Sequence, residues 1–309
     1  MKTVIYHSAD FDGIFCREIA KKFLGTEGVN YIGWNHGDPL IPFPHEGTVY
    51  VLDLSPDCLE GRNCERAKID WERVVWIDHH KSSIEKWSKE IPGYRIAGVA
   101  ACRLAWQWFR VPETEHRELG LPEKRDFVER RVSEPLAVRL AGEYDIWDKR
   151  DPNADVFQYG LRSKELTDED WKWLLTVHDN MKQGEYELAK TGLAVNMLLQ
   201  DGRLLQRYSQ KIDADLVNSR SFMLEWEGLK FLCLNTGRFN SLTFAAKDAP
   251  ETGHDALLGW CFDGKNNTVS LYHAKHRTDL DLSLIAVKYG GGGHRGACGF
   301  TCKTLPFLQ

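Results

Sequence analysis

Arg73-Val74-Val75-Trp76-Ile77-Asp78-His79-His80 is the stretch from which the rest of the chain can be read. Four apolar, largely β-branched residues run straight into an acid and two imidazoles, the pattern of a buried strand that ends in polar side chains. In open α/β sheets ligands bind outside the carboxyl ends of the strands, where the connecting loops converge above a rigid floor. A carboxylate beside two imidazoles offers hard oxygen and borderline nitrogen to a divalent metal. Taken alone, Asp78-His79-His80 fits a surface acid next to two hydrogen-bonded histidines equally well, so the neighbouring strands must decide.

Those strands end in the same residue types. Thr3-Val4-Ile5-Tyr6 reads as a strand and leads into His7-Ser8-Ala9-Asp10-Phe11-Asp12-Gly13. Ile14, Phe15, Ile19, Ala20, Phe23 and Leu24 then fit one face of a helix. If the joining loop is extended, Asp10 and Asp12 point the same way, with His7 close by. Gly13 permits a tight turn before the helix, and an Asp at Asp12 also suits a plain helix cap. Val29 to Trp34 gives a second strand and Thr48 to Asp53 a third that again ends in an acid. The segment 54–72 is predicted as a crossover helix, Tyr94 to Ala97 as a further strand, and Val99 to Phe109 as a helix. Strands alternating with helices predict an α/β fold, a mostly parallel sheet with helices on both faces. Three independent strands then deliver His7/Asp10/Asp12, Asp53 and Asp78/His79/His80 to one edge, which scattered surface charge does not explain.

Residues 111–133 are charged and read as a loop or an exposed helix start. Glu134-Pro135 opens another helix, which closes near Gly142-Glu143-Tyr144-Asp145-Ile146-Trp147-Asp148. If two metals are held, one more carboxylate is required, and Glu143 or Asp145 supplies it. From Asp168 to Asp215 the composition turns to long amphipathic helices. Phe222 to Trp226 and Lys230 to Leu234 flank Glu227-Gly228-Leu229 as a hairpin, and Ala256 to Phe262 and Thr268 to Tyr272 continue a β-containing unit. This gives three regions: 1–165 with the metal site, a helical connector at 166–218, and a smaller α/β domain at 219–309. That domain closes with Tyr289-Gly290-Gly291-Gly292-Gly293-His294-Arg295-Gly296, a glycine run that brings backbone N–H groups close to an anion while His294 and Arg295 add donors and charge.

At 309 residues the chain is long enough for two cores. A net charge of −5 excludes a protein that coats nucleic acid through unbalanced basic surface. Eight cysteines include no C-x-x-C pair and several lie in apolar runs, so reduced thiols and no disulfides are expected. With no apolar run of membrane-spanning length and no export pattern, the expected location is the cytoplasm, without a membrane partner.

Together these motifs resemble the DHH phosphoesterases, a family that includes the RecJ exonuclease, nanoRNases, cyclic-dinucleotide phosphodiesterases and family II pyrophosphatases. By that resemblance His7, Asp10 and Asp12 match the first motif, Asp53 the second, Asp78-His79-His80 the third and the Glu143 to Trp147 segment the fourth. The Gly-Gly-Gly-His stretch resembles the family's associated C-terminal domain, in which Gly291, Gly292, Gly293, His294 and Arg295 bind substrate. The resemblance implies two divalent ions, Mn²⁺ first, with Mg²⁺ or Co²⁺ as alternatives. His7 and Asp10 would hold one ion, Asp12 and His79 the other, with Asp53 bridging. Asp78 would orient its neighbours and His80 would face the phosphate. The spacing departs from several relatives at His7, and the fourth motif points to Glu143 by register but to Asp145 by residue type. Tyr272 stands where the associated domain usually has an Arg, which shifts charge neutralisation to Arg295, His276 or Arg277. The implied partner is a short oligonucleotide or small nucleotide, with a homodimer as one compatible state. Hydrolysis of a phosphate ester is the expected activity. A nucleotide monoester phosphatase and a binding module without catalysis are the alternatives.

Overall fold

Val74–Ile77 forms a strand whose four residues are all buried, as expected of a parallel strand covered on both faces. The computed structural model describes residues 1–60, 69–87, 89–111, 133–148, 150–177, 185–237 and 239–308. The predicted crossover helix over 54–72 falls partly, and the charged 111–133 segment almost wholly, outside them.

The first sheet contains β1 (Lys2–His7), β2 (Val29–Trp34), β3 (Val49–Leu52) and β4 (Val74–Ile77), all parallel, in the order β2-β1-β3-β4. Because alternate residues face opposite sides, Val4, Tyr6, Leu52 and Ile77 join one apolar layer while Ile5, Val51 and Trp76 join another. Helix α1 (Phe11–Leu24) covers the first layer through Phe15, Ile19 and Ala20. Ile84 of α2 (Lys81–Lys86) packs on the second. Helices α3 (Ala101–Arg110) and α4 (Leu136–Asp145) complete the first layer, followed by α5 (Asn153–Leu161) and α6 (Asp168–Leu174). The chain leaves β1 toward β2 on one side and returns to β3 on the other, so the strand order reverses at β1/β3. Such a switch point opens a crevice at the carboxyl ends of those two strands.

Two predicted elements differ. Tyr94 to Ala97 is not a regular strand but a single parallel bridge, Asp78 to Arg95. Pro92 accepts from the Trp76 N–H but has none to return, and Gly93 takes φ 125°. The Arg95 guanidinium turns back onto the carbonyls of Trp76 and Ile91. In the described part of 54–72, short 3₁₀ turns at Pro56–Cys58 and Trp71–Arg73 replace the expected helix.

The chain divides into two compact units, Met1–Leu205 and Gln206–Gln309, with the boundary inside the long helix α7 (Glu185–Arg220). The second unit has a six-stranded sheet of β5 (Phe222–Trp226), β6 (Leu229–Asn235), β7 (Ala256–Phe262), β8 (Asn267–His273), β9 (Gly292–His294) and β10 (Ala297–Cys302), with helix α8 (Ser283–Lys288). Its order is β9-β10-β8-β7-β6-β5. Glu227 and Gly228 both take positive φ, the tight turn that matches strand twist in a two-residue hairpin. No helix among the described residues is long and apolar enough to cross a membrane. All seven described cysteines are free thiols.

Candidate metal centre

The carboxyl ends of β1, β3 and β4 carry His7, Asp53 and Asp78. Asp53 leaves β3 with φ 58°, a conformation that costs a non-glycine residue about 1–3 kcal/mol and is kept only where surrounding contacts hold it. Its backbone N–H donates to the Ile77 carbonyl at 2.9 Å, so the turn is pinned to β4.

Asp53 belongs to two groups of donors. On one side its Oδ2 lies 3.5 Å from His7 Nδ1, which is 3.0 Å from Asp10 Oδ2. On the other its Oδ1 lies 3.5 Å from His79 Nε2, which is 3.7 Å from Asp12 Oδ2 and 3.2 Å from Asp145 Oδ2. His7/Asp10/Asp53 and Asp12/His79/Asp145 are thus two three-residue clusters, with Asp53 reaching toward both.

Asp10 and Asp12 do not share a direction as an extended loop would require. Asp10 is the N-cap of α1, accepting from the Gly13 N–H at 3.1 Å, and α1 begins at Phe11. Asp12 therefore lies in the first turn and swings to the other cluster, so the cap is Asp10 and not Asp12. Gly13 is required for close approach rather than for its φ, since a Cβ there would lie 1.9 Å from the His7 carbonyl oxygen. Asp12 is buried, and its two oxygens accept the N–H groups of Ala101 and Cys102 at 2.8 Å each. These amides open α3, whose positive end favours an anion. The sequence carries no signal for this support except the small residues Ala100 and Ala101.

At the fourth motif, Asp145 and not Glu143 faces the donor clusters. Asp145 reaches His79, whereas Glu143 Oε1 accepts from Arg139 at 3.0 Å and joins no donor cluster. Two residues apart on a helix, the two side chains diverge by about 200°.

Asp78 is fully buried. Its Oδ1 accepts from the backbone N–H of His79 at 2.7 Å and of His80 at 3.1 Å, and lies 2.7 Å from His80 Nδ1. A carboxylate only accepts, so Nδ1 carries the proton and Nε2 of the partly exposed His80 ring is free for another partner.

The electrostatics of the protein atoms alone show the same crowding. The hydrogen bond to Asp10, then that to Asp53, lifts the His7 pKa to about 10. Burial opposes charge on His79, yet Asp53, Asp12 and Asp145 push it up to about 10. Burial also disfavours the Asp53 carboxylate, but His7 and His79 hold its pKa down to about 2. Burial and the neighbouring Asp53 and Asp145 charges raise Asp12. Burial, against the pull of His79, raises Asp145 to about 6. Asp53 Oδ1 and Asp145 Oδ2 are buried with no hydrogen-bond partner. Four carboxylates converge where a polar oxygen is left unsatisfied, so the donor set fits two divalent cations of the oxygen- and nitrogen-binding class.

No protein-family model matches the sequence, and no curated protein matches it significantly. Among solved structures, the DHH domain of a member of the S1p family of ribosomal proteins matches with a TM-score of 0.51 at 13% identity, over 97% of this chain and 82% of that one. The chain has the DHH-domain fold. A pGpG-specific phosphodiesterase from Vibrio cholerae matches with a TM-score of 0.41 at 13% identity, over 98% and 93% of the two chains. RecJ from Thermus thermophilus in complex with Mn²⁺ matches with a TM-score of 0.44 at 14% identity, over 99% of this chain and 50% of that one. The four segments singled out in the sequence are the ones that build the paired clusters.

In the second unit the glycine run is a short edge strand rather than a free loop. Gly292–His294 pairs antiparallel with Ala297–Cys302. A Cβ on Gly291 would lie 2.0 Å from the Gly299 carbonyl oxygen, so close strand packing by itself requires glycine there. His294 and Arg295 are exposed at its end, and Arg295 donates to the Asp279 carbonyl. Of the other groups expected to neutralise charge, Arg277 pairs with Asp255 and Asp279, and His276 bonds to the His254 carbonyl.

Proposed function

We propose that the protein is a divalent-metal-dependent phosphoesterase that hydrolyses short oligonucleotides or small nucleotide phosphodiesters, with Mn²⁺ as the preferred ion. The observation that carries this reading is the pair of donor clusters sharing Asp53. Two adjacent divalent ions, when bound, supply an activated water and polarise the phosphoryl oxygens. His7 and Asp10 would hold one ion and Asp12, His79 and Asp145 the other, with Asp53 within reach of both. The α3 amides keep Asp12 in place, so the ligand geometry does not depend on substrate. Asp78 fixes the His80 ring and favours its charged form, leaving Nε2–H to donate to a phosphate oxygen as negative charge builds there. The exposed His294 and Arg295, beside the backbone of Gly291, Gly292 and Gly293, suit recognition of a phosphate group.

Protein stripped with chelator and reloaded with Mn²⁺ or Mg²⁺ tests the reading against a panel of dinucleotides, cyclic dinucleotides, five-residue RNA and DNA, and 3′-phosphoadenosine 5′-phosphate. Turnover of at least one diester, abolished by chelation, is expected. Hydrolysis of the monoester alone would move the assignment to a nucleotide phosphatase. No hydrolysis at confirmed metal occupancy would leave only a binding module.

A further inference from the structure

Asp248, His254 and His276 form another group of metal-ligating side chains, wholly within the Gln206–Gln309 unit, and one donor atom from each lies within 4.8 Å of the other two. We propose that this group binds one divalent transition-metal ion of the zinc class, which ties the segment between β6 and β7 to the one leaving β8.

The hydrogen bonding around the group leads to a cation. The side chains of Asp248 and His254 are 3% and 0% exposed. His276 Nε2 lies 2.8 Å from the His254 carbonyl oxygen, which can only accept, so Nε2 carries the hydrogen and Nδ1 presents a lone pair when the ring is neutral. That Nδ1 is buried and has no hydrogen-bond partner. His254 Nε2 lies 3.1 Å from Asp248 Oδ1, so this nitrogen and the carboxylate face each other as two metal-donor atoms.

Asp248 is also short of compensation. Its other contacts are the Lys275 backbone N–H, 3.3 and 3.4 Å from its two oxygens, and no Lys or Arg side chain pairs with it among the described residues. A buried carboxylate needs a positive partner. A metal ion in place of the Asp248–His254 hydrogen bond would take the Asp248 carboxylate, His254 Nε2 and the unpartnered His276 Nδ1 together. The carbonyl that fixes the His276 tautomer acts as the outer support that ligating histidines commonly have. Two imidazoles and one carboxylate with a fourth position open to water match zinc, at ligand distances of about 2.0–2.2 Å, better than the all-oxygen preference of Mg²⁺.

The test uses full-length protein, stripped with chelator, reloaded with Zn²⁺, desalted and assayed for metal by mass spectrometry. His276→Gln, at a partly exposed position, and the isosteric Asp248→Asn are each expected to retain one zinc ion fewer per chain than wild type, with unchanged circular dichroism. Equal zinc in wild type and both variants overturns the proposal. Should either variant fail to fold, wild-type crystals grown with zinc answer the same question through anomalous diffraction at the zinc edge. A peak among Asp248, His254 and His276 supports the site. Ordinary water density there, with zinc only at the N-terminal clusters, overturns it.

Discussion

Asp145→Asn separates the cost of the crowded carboxylates from their use. In the protein without metal, burial holds the Asp145 carboxyl at about 6 against an ordinary 3.8, and its Oδ2 has no hydrogen-bond partner. A shift of about two units corresponds to about 3 kcal/mol of penalty on the ionised form. Because the folded-state value is raised, the penalty is absent below pH 3.8, grows between pH 3.8 and about 6, and is complete above that. Asparagine carries no charge and escapes the penalty, which is already net of the attraction to His79, 3.2 Å away. The metal-free variant should therefore be more stable than wild type at about pH 8 by about 1–3 kcal/mol, and equal to it near pH 4. With saturating Mn²⁺ the order should reverse, since wild type gains binding free energy that the variant, lacking one ligand, gains less of. Urea unfolding followed by circular dichroism, in EDTA and in Mn²⁺ at both pH values, measures all four cases. A wild type more stable than Asp145→Asn in EDTA at the higher pH would refute the reasoning, and so would an equal response of the two proteins to Mn²⁺.

Glu143→Gln should keep full metal content, because Glu143 pairs with Arg139 and not with the clusters; loss of a metal ion by mass spectrometry would restore it as a ligand. Asp53→Ala should lose both ions and all turnover, whereas His80→Ala should keep the ions and lose about 10²–10³-fold in kcat; equal metal loss in the two would contradict their separate roles. Gly13→Ala places a methyl group 1.9 Å from the His7 carbonyl oxygen. Denaturant melts should show it destabilised by about 1–3 kcal/mol or more, and a neutral effect would mean that the β1–α1 turn is looser than described. Arg295→Ala should retain both ions and hydrolyse bis-p-nitrophenyl phosphate normally while raising KM for the nucleotide, and equal damage to both substrates would remove Arg295 from recognition.

The strand ends and the residues placed on them were legible in the sequence, because both are local properties. A short apolar run ending in an acid or imidazole predicts where the chain reaches the sheet edge, and this held for His7, Asp53 and Asp78. The hairpin at Glu227-Gly228 was legible because its turn chemistry lies within the turn itself, although Leu229, read as part of the loop, belongs to the strand and pairs with Trp226. Tertiary structure decided what depends on distant chain. Asp12 is fixed by amides 89 and 90 residues away, and no local pattern announces that support. Asp10 and Asp12 part company because α1 starts between them, earlier than a cap at Asp12 allows. Register favoured Glu143 and residue type favoured Asp145. The rotation of α4 turns Asp145 toward His79, because only one of two side chains about 200° apart can face that ring. The Tyr94 to Ala97 strand shrank to one bridge, with the Trp76 carbonyl taken by the Arg95 guanidinium. Asp248, His254 and His276 form no recognisable pattern in the sequence, and only the folding of the chain between β6 and β8 and just beyond brings them together and leaves two imidazole nitrogens buried without partners.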